Sequence, residues 1–87
     1  MSRRSLAENS HCSTPEIYAY GDAIMLKTLE NKSTDECEDA CRATAGCKVF
    51  SVYTQEDAGK CELYQKCGVF YGYYAGLKNY ALVGSAP

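Results

Sequence analysis

The sequence predicts a small α+β domain held together by disulfides, with one helix pinned to a sheet. The chain has 87 residues, and six of them are cysteines. An even number of cysteines in a short chain is typical of a disulfide framework formed in an oxidising compartment. A helix-start pattern surrounds Cys37 and Cys41, and strand-like residues surround Cys47 and Cys61. Cross-links are expected because a core of this size is marginal without them.

The chain is expected to form one domain, residues 11–84, between two linkers. Residues 1–10 are polar and lack the apolar stretch of a signal peptide, so they are expected to be a flexible linker. Residues 85–87 resemble a second linker. Because a disulfide-bonded protein has to reach an oxidising compartment, we expect this segment to belong to a longer secreted chain.

A helix is predicted from about Thr34 to Ala45. Ser33 and Glu36 have the spacing of a capping box, and Gly46 provides a C-terminal stop. The acidic first turns complement the helix dipole, and they lack the looped ligand array that a calcium site needs. The predicted inner face is made of small side chains at helical spacing, namely Cys37, Ala40, Cys41 and Thr44.

Two strands are predicted before the helix and four after it. Their expected ranges are 17–20, 23–29, 48–54, 60–65, 70–75 and 77–83. The polar turn at 55–59 makes the third and fourth strands a hairpin. Cys61 and Leu63 are expected to face the helix, and Tyr53 is expected in the core. The loop before the helix contains an N-glycosylation acceptor pattern at Asn31.

Six cysteines allow 15 pairings, and their spacing favours one of them. Cys37 and Cys41 lie one turn apart on the same helix face, so they are poor partners for each other. Cys47 returns just past the helix end, where a bond to Cys41 closes a tight loop. The expected pairs are therefore Cys41–Cys47, Cys37–Cys61 and Cys12–Cys67.

Charge and composition argue against several classes of function. The formal net charge is −2 and the basic residues are scattered, so nucleic-acid binding is not expected. Neither a membrane-spanning run nor a second zinc knuckle is present in the sequence. Catalysis and cofactors are not expected, because the single histidine, His11, lies in a tail-like segment. Glu56 and Asp57 form a carboxylate pair, but a hairpin tip is the simpler interpretation.

The central part of the chain resembles the PAN/apple domain family. The resemblance rests on residues 36–53, ECEDACRATAGCKVFSVY, and 60–64, KCELY, and it covers roughly 12–83. These residues match the family in the helix cysteines, in a third cysteine opening a strand with an inward Phe50, and in a Cys-x-Leu strand. The resemblance implies a curled antiparallel sheet of about five strands cradling one helix. It also implies the bonds Cys37–Cys61 and Cys41–Cys47, and a bridge from Cys12 to the last cysteine.

The C-terminal part departs from the family pattern at one point. The last cysteine of apple domains usually follows the Gly-Lys stretch, whereas Cys67 precedes Gly76 and Lys78 here. The tyrosine-rich C-terminal strand resembles apple repeats in microneme adhesins of apicomplexan parasites, which implies adhesion to host cells.

The resemblance implies a non-catalytic extracellular module, repeated in a longer protein, that recognises a cell-surface or extracellular protein or a glycan. It would be secreted, either directly or after storage in a secretory organelle. An accessory domain of a secreted protease and a structural spacer are the alternatives. The chain has eight tyrosines and no tryptophan, and tyrosine suits both interfaces and sheet cores. The expected ligand contacts are Tyr71, Tyr73, Tyr74, Lys48, Lys60 and Lys66.

Overall fold

One helix packs against a five-stranded antiparallel sheet in residues 2–84, which are the residues that this computed structural model describes. The elements are β1 (Ser2–Glu8), β2 (His11–Cys12), β3 (Ile24–Leu29), α1 (Thr34–Ala43), β4 (Val49–Tyr53), β5 (Cys61–Lys66), β6 (Phe70–Tyr71) and β7 (Leu77–Val83). The large sheet has the order β1-β7-β4-β5-β3, and β2 and β6 form a separate two-stranded ribbon. The predicted α+β class, with one helix and five strands, is confirmed.

The helix begins and ends close to the predicted residues. The Ser33 side chain accepts a hydrogen bond from the Glu36 amide, and the Glu36 carboxylate accepts one from the Ser33 amide, which completes the capping box. The last helical residue is Ala43, two residues earlier than predicted. Gly46 then has a φ of 84°, a backbone conformation that favours glycine and turns the chain toward β4.

Both faces of the central strand are buried, because all five residues of β4 are shielded from solvent. The helix face holds one core cluster of cysteine, aromatic and aliphatic side chains. Its members are Cys37, Cys41, Cys47, Phe50, Val52, Cys61 and Leu63. The opposite face holds a second cluster of Cys12, Ala23, Val49, Tyr64 and Cys67. The prediction that Cys61 and Leu63 face the helix is confirmed.

Three disulfides join these elements. The bonds are Cys12–Cys67, Cys37–Cys61 and Cys41–Cys47, which are the pairs expected from the sequence. Two of them tie the helix, one to β5 and one to its own C-terminal loop. The third ties β2 to the segment after β5, so each face of the sheet carries at least one covalent link.

The prediction of a flexible linker over residues 1–10 is wrong for the described residues of that segment. Ser2–Glu8 forms an edge strand that pairs with β7, and the Asn9 amide donates to the Leu77 carbonyl. Polar composition hid this strand, because an edge strand can keep charged side chains. Arg3 uses its charge to bond Asp35 and Glu38 of the helix. The predicted linker 85–87 lies outside the described residues.

Two other strand predictions are wrong, one wholly and one in part. Residues 17–20 form turns instead of a strand, since the amides of Ile17 and Tyr18 donate to the Thr14 carbonyl just before Pro15. The predicted strand over 70–75 is reduced to Phe70–Tyr71. In both places local turn hydrogen bonds replace the ladder that β-forming residues alone would favour.

Candidate functional site

Three tyrosine rings lie together on the two-stranded ribbon and its adjoining loop. The Tyr18 and Tyr71 rings are stacked, with centroids 4.4 Å apart and planes inclined by 8°. Tyr20 packs edge-on against Tyr18 at 5.5 Å. We call Tyr18, Tyr20 and Tyr71 the aromatic cap. Tyr20 is 78% exposed and Tyr71 is 50% exposed, so the cap presents ring surface to solvent.

The backbone beneath the aromatic cap is fixed from several directions. In the ribbon, His11 stands opposite Tyr71 and Cys12 opposite Phe70. The ladder continues through the Ser13 amide, which donates to the Val69 carbonyl at 3.0 Å. The disulfide Cys12–Cys67 then ties the ribbon to the end of β5. The cap therefore rests on a cross-linked base.

The loop that carries Tyr18 and Tyr20 packs against the same base. The Asp22 carboxylate accepts hydrogen bonds from the amides of Gly68 and Val69. At Gly21 a Cβ atom would lie 2.4 Å from the Ser13 carbonyl oxygen, so only glycine fits at this crossing. These contacts hold the loop in one position relative to the ribbon.

A buried polar cluster joins the ribbon to the large sheet. The Glu62 carboxylate is 4% exposed and accepts hydrogen bonds from the hydroxyls of Tyr53 at 3.1 Å and Tyr64 at 3.0 Å. His11 Nε2 lies 3.0 Å from the Tyr53 hydroxyl and 3.4 Å from a Glu62 oxygen. Lys60 Nζ lies 3.8 Å from the other Glu62 oxygen. We call His11, Tyr53, Lys60, Glu62 and Tyr64 the buried polar cluster.

The ionisation of the cluster follows from these contacts. The hydrogen bond to Glu62 raises the pKa of His11, and burial opposes this only in part. Burial alone would raise the pKa of Glu62, but the bond from His11 and the two tyrosine donors lower it overall. Burial and the Glu62 charge raise the pKa of both Tyr53 and Tyr64, which keeps their hydroxyls protonated and able to donate.

Sequence reasoning missed the importance of His11. The prediction that it lies in a tail-like segment is wrong, because pairing with β6 and the neighbouring disulfide bring it onto the sheet. The adjoining Cys12 was the available signal, since a bonded cysteine fixes its neighbours too. Tyr18 and Tyr20 were also missed as surface residues, because the sequence suggested a strand there.

The structure separates the tyrosines named as ligand contacts. Tyr71 belongs to the aromatic cap, and Tyr73 is 79% exposed. Tyr74 instead bonds Asp57 at 2.6 Å and packs edge-on against Tyr53, and the Asp57 bond raises the pKa of Tyr74 to about 12. Tyr53 is buried, as predicted.

The three lysines named with them do not lie together. Lys48 precedes β4 and Lys60 precedes β5, so they stand at opposite ends of this antiparallel hairpin. Lys48 borders a shallow depression with Gly46, Cys47 and Leu82, whereas Lys60 belongs to the buried polar cluster. Lys66 lies 3.8 Å from Asp22 in the cap loop. Lys66 is therefore the lysine best placed to act with the aromatic cap.

The acceptor pattern for N-glycosylation lies on the surface. Asn31 is exposed and has a φ of 57°, between β3 and the helix cap. The Ser33 hydroxyl of the same pattern is used as the helix cap. A sugar on Asn31 remains a prediction from the sequence.

Within residues 2–84, no group of three or more histidine, cysteine or acidic side chains is placed to hold a metal ion. Over the same residues, no helix has both the length and the apolar character needed to cross a bilayer.

No protein-family model, curated protein or solved structure matches the chain. The resemblance to PAN/apple domains therefore rests on the residues that carry it, 36–53 and 60–64.

Proposed function

We propose that this chain is a non-catalytic extracellular binding module of the PAN/apple type, which attaches its parent protein to a cell-surface or extracellular protein or glycan. The single observation that carries the proposal is the aromatic cap, an exposed group of tyrosine rings on a cross-linked base. Three disulfides in 87 residues fit an extracellular location.

The chemistry of the aromatic cap suits recognition. A tyrosine ring offers an apolar face and a polar hydroxyl, which can cover either an apolar protein surface or a sugar ring. Asp22 lies in the loop that carries Tyr18 and Tyr20, and it pairs with Lys66, so these two charged side chains can bond polar groups of the same partner. Because the stacked rings and the disulfide beneath are already ordered, binding costs little additional conformational entropy.

One such surface is small, so a single module is expected to bind weakly. Repeated modules in the parent protein would convert weak contacts into firm attachment, since the second contact forms at a high effective concentration. Adhesion to host cells, which the resemblance to microneme repeats implies, would use the domain in this way.

The proposal is tested by displaying the oxidised domain as a streptavidin tetramer and measuring its binding to cultured mammalian cells and to a glycan array. Replacing Tyr71 by alanine should reduce binding roughly 30-fold, as expected for an aromatic residue central to an interface. Met25→Ala is the matched control, because Met25 is an apolar side chain, 40% exposed, on the edge strand β3 and outside the aromatic cap.

The outcomes separate the alternatives. Binding that disappears after enzymatic removal of cell-surface glycans identifies a glycan partner, and binding that persists identifies a protein. Equal loss with Tyr71→Ala and Met25→Ala would show that the aromatic cap has no special role. If the folded wild-type tetramer binds neither cells nor glycans, the structural spacer is the better interpretation.

A further inference from the structure

His11 is placed to couple proton binding to the attachment of the ribbon. Its Nδ1 lies 2.6 Å from the Cys12 carbonyl oxygen, and a carbonyl oxygen can only accept, so Nδ1 carries a proton. On the other side of the ring, Nε2 lies 3.0 Å from the Tyr53 hydroxyl. The state of Nε2 therefore decides whether the imidazole is charged or neutral.

The single proton of the Tyr53 hydroxyl can serve only one of its two neighbours. When His11 is charged, Nε2 donates to the Tyr53 oxygen, and Tyr53 donates to Glu62. When His11 is neutral, Nε2 can only accept a hydrogen bond. The Tyr53 hydroxyl then donates to Nε2, so Glu62 no longer receives a hydrogen bond from Tyr53. The buried Glu62 carboxylate then keeps the hydrogen bond from Tyr64 and the more distant charge of Lys60, but it no longer faces a cation on the ribbon.

We propose that His11 is a pH-dependent lock that fastens the β2–β6 ribbon to the large sheet when the imidazole is charged and loosens it when the imidazole is neutral. Tyr53 is the switching element, because its hydroxyl turns from Glu62 to His11 between the two states. The ribbon stays tethered by the disulfide Cys12–Cys67 in both states, so the change is local. This inference holds whether or not the aromatic cap binds a partner.

Groups from several elements set the environment of His11. Tyr53 comes from β4, Glu62 and Tyr64 come from β5, and Lys60 comes from the turn before it. Tyr71 stands opposite His11 in the ribbon. Tyr74 and Asp57 lie beyond Tyr53, bonded to each other. Glu62 is thus the buried counter-charge of His11, and Lys60 is a second cation that competes with His11 for the Glu62 carboxylate.

The direction of the pH effect follows from the pKa shifts of His11 and Glu62. The pKa of His11 is raised above its ordinary 6.5, so its contribution is complete below 6.5 and is lost as the pH rises through the folded-state pKa. The pKa of Glu62 is lowered below its ordinary 4.5, so its contribution is complete above 4.5 and is lost as the pH falls through its folded-state value. The lock is therefore strongest at mildly acidic pH.

The test uses the untagged wild-type domain, in which His11 is the only histidine and gives one imidazole signal by NMR. The imidazole titration and the exchange protection of the Ser13 amide are measured across pH 5 to 9. The imidazole should titrate above pH 6.5, and Ser13 protection should fall roughly tenfold with the same midpoint, as for the loss of one bond to a charged group. The proposal is wrong if the His11 imidazole titrates at or below pH 6.5. It is also wrong if the protection of the Ser13 amide does not change at the pH where the imidazole titrates.

Two substitutions with opposite expected effects show whether the charges act as described. Glu62→Gln removes the counter-charge, so the imidazole midpoint should move below that of the wild type. Lys60→Gln removes the competing cation, so the midpoint should move above it. A merely structural role would not move the midpoint in opposite directions, and shifts in the same direction, or none, contradict the proposal. If Glu62→Gln does not fold, Lys60→Gln and the wild-type titration still decide.

The role of Tyr53 has its own test. Tyr53→Phe removes the hydroxyl that turns between His11 and Glu62, so the pH step in Ser13 protection should shrink while the imidazole still titrates. An unchanged step would show that Tyr53 is not the switching element. Tyr74→Phe is the control, because this hydroxyl bonds Asp57 and not His11.

Discussion

The two faces of the large sheet are stabilised by different means. The helix face is closed by two disulfides and apolar side chains such as Phe50 and Leu63. The opposite face, which carries the ribbon with the aromatic cap and which we call the cap face, has one disulfide and buries polar side chains, including Ser51, Glu62 and Asn79. Apolar packing is nondirectional, whereas a hydrogen bond requires a defined partner geometry. The helix face is thus suited to supply stability, and the cap face to position surface groups.

The largest expected effect concerns the bond between the helix and the sheet. Replacing Cys37 and Cys61 together by alanine should lower the free energy of unfolding by about 3.5 kcal/mol, from the chain entropy of the loop it closes. The inner face of the helix has little aliphatic bulk to compensate, so the domain should lose cooperative folding at 37 °C. Circular dichroism during denaturant titration measures this.

The Cys41–Cys47 bond provides the matched control on the same helix. It closes a loop of only six residues in sequence separation, so replacing both cysteines by alanine should cost about 2 kcal/mol. If this variant is as unstable as the first, or if the first remains cooperatively folded without loss, covalent attachment of the helix is not what stabilises that face.

On the cap face, the largest loss of stability is expected from replacing Asn79, which is fully buried in β7. Its amide group donates to the carbonyls of Ala7 and Ser10, both at 2.8 Å, and its oxygen accepts from Ser51. Asn79→Ala leaves these groups unsatisfied and should cost about 3 kcal/mol. Chemical denaturation gives the stability, and hydrogen exchange should show the loss concentrated in β1 and the ribbon.

Ser51→Ala is the control for Asn79, since it removes one hydrogen bond and leaves both amide donors of Asn79 in place. Its expected cost is about 1 kcal/mol. Equal costs for the two variants would show that the bonds from Asn79 to Ala7 and Ser10 do not stabilise β1 and the segment that follows it.

The helix face was largely predictable from the sequence and the cap face was not, for physical reasons. Cysteine spacing, the capping box at Ser33 and the alternation of β4 are local signals, and each agrees with the final packing. The contacts of His11 and Asn79 join residues that are far apart in the sequence, since the His11–Tyr53 bond spans 42 positions and the Asn79–Ser10 bond spans 69. No local pattern marks such pairs.

The smallest predicted loss of stability concerns the cap of the helix. Ser33→Ala removes the side chain that caps α1, and it should lower stability by about 1 kcal/mol because a ten-residue helix has few other ways to satisfy its first amides. Ser33→Thr keeps a capping hydroxyl and should cost much less. Both variants should be made in bacteria, because Ser33→Ala also removes the glycosylation pattern at Asn31. If the loss appears instead in the exchange protection of the ribbon, the two faces do not act separately, and the contrast between them fails.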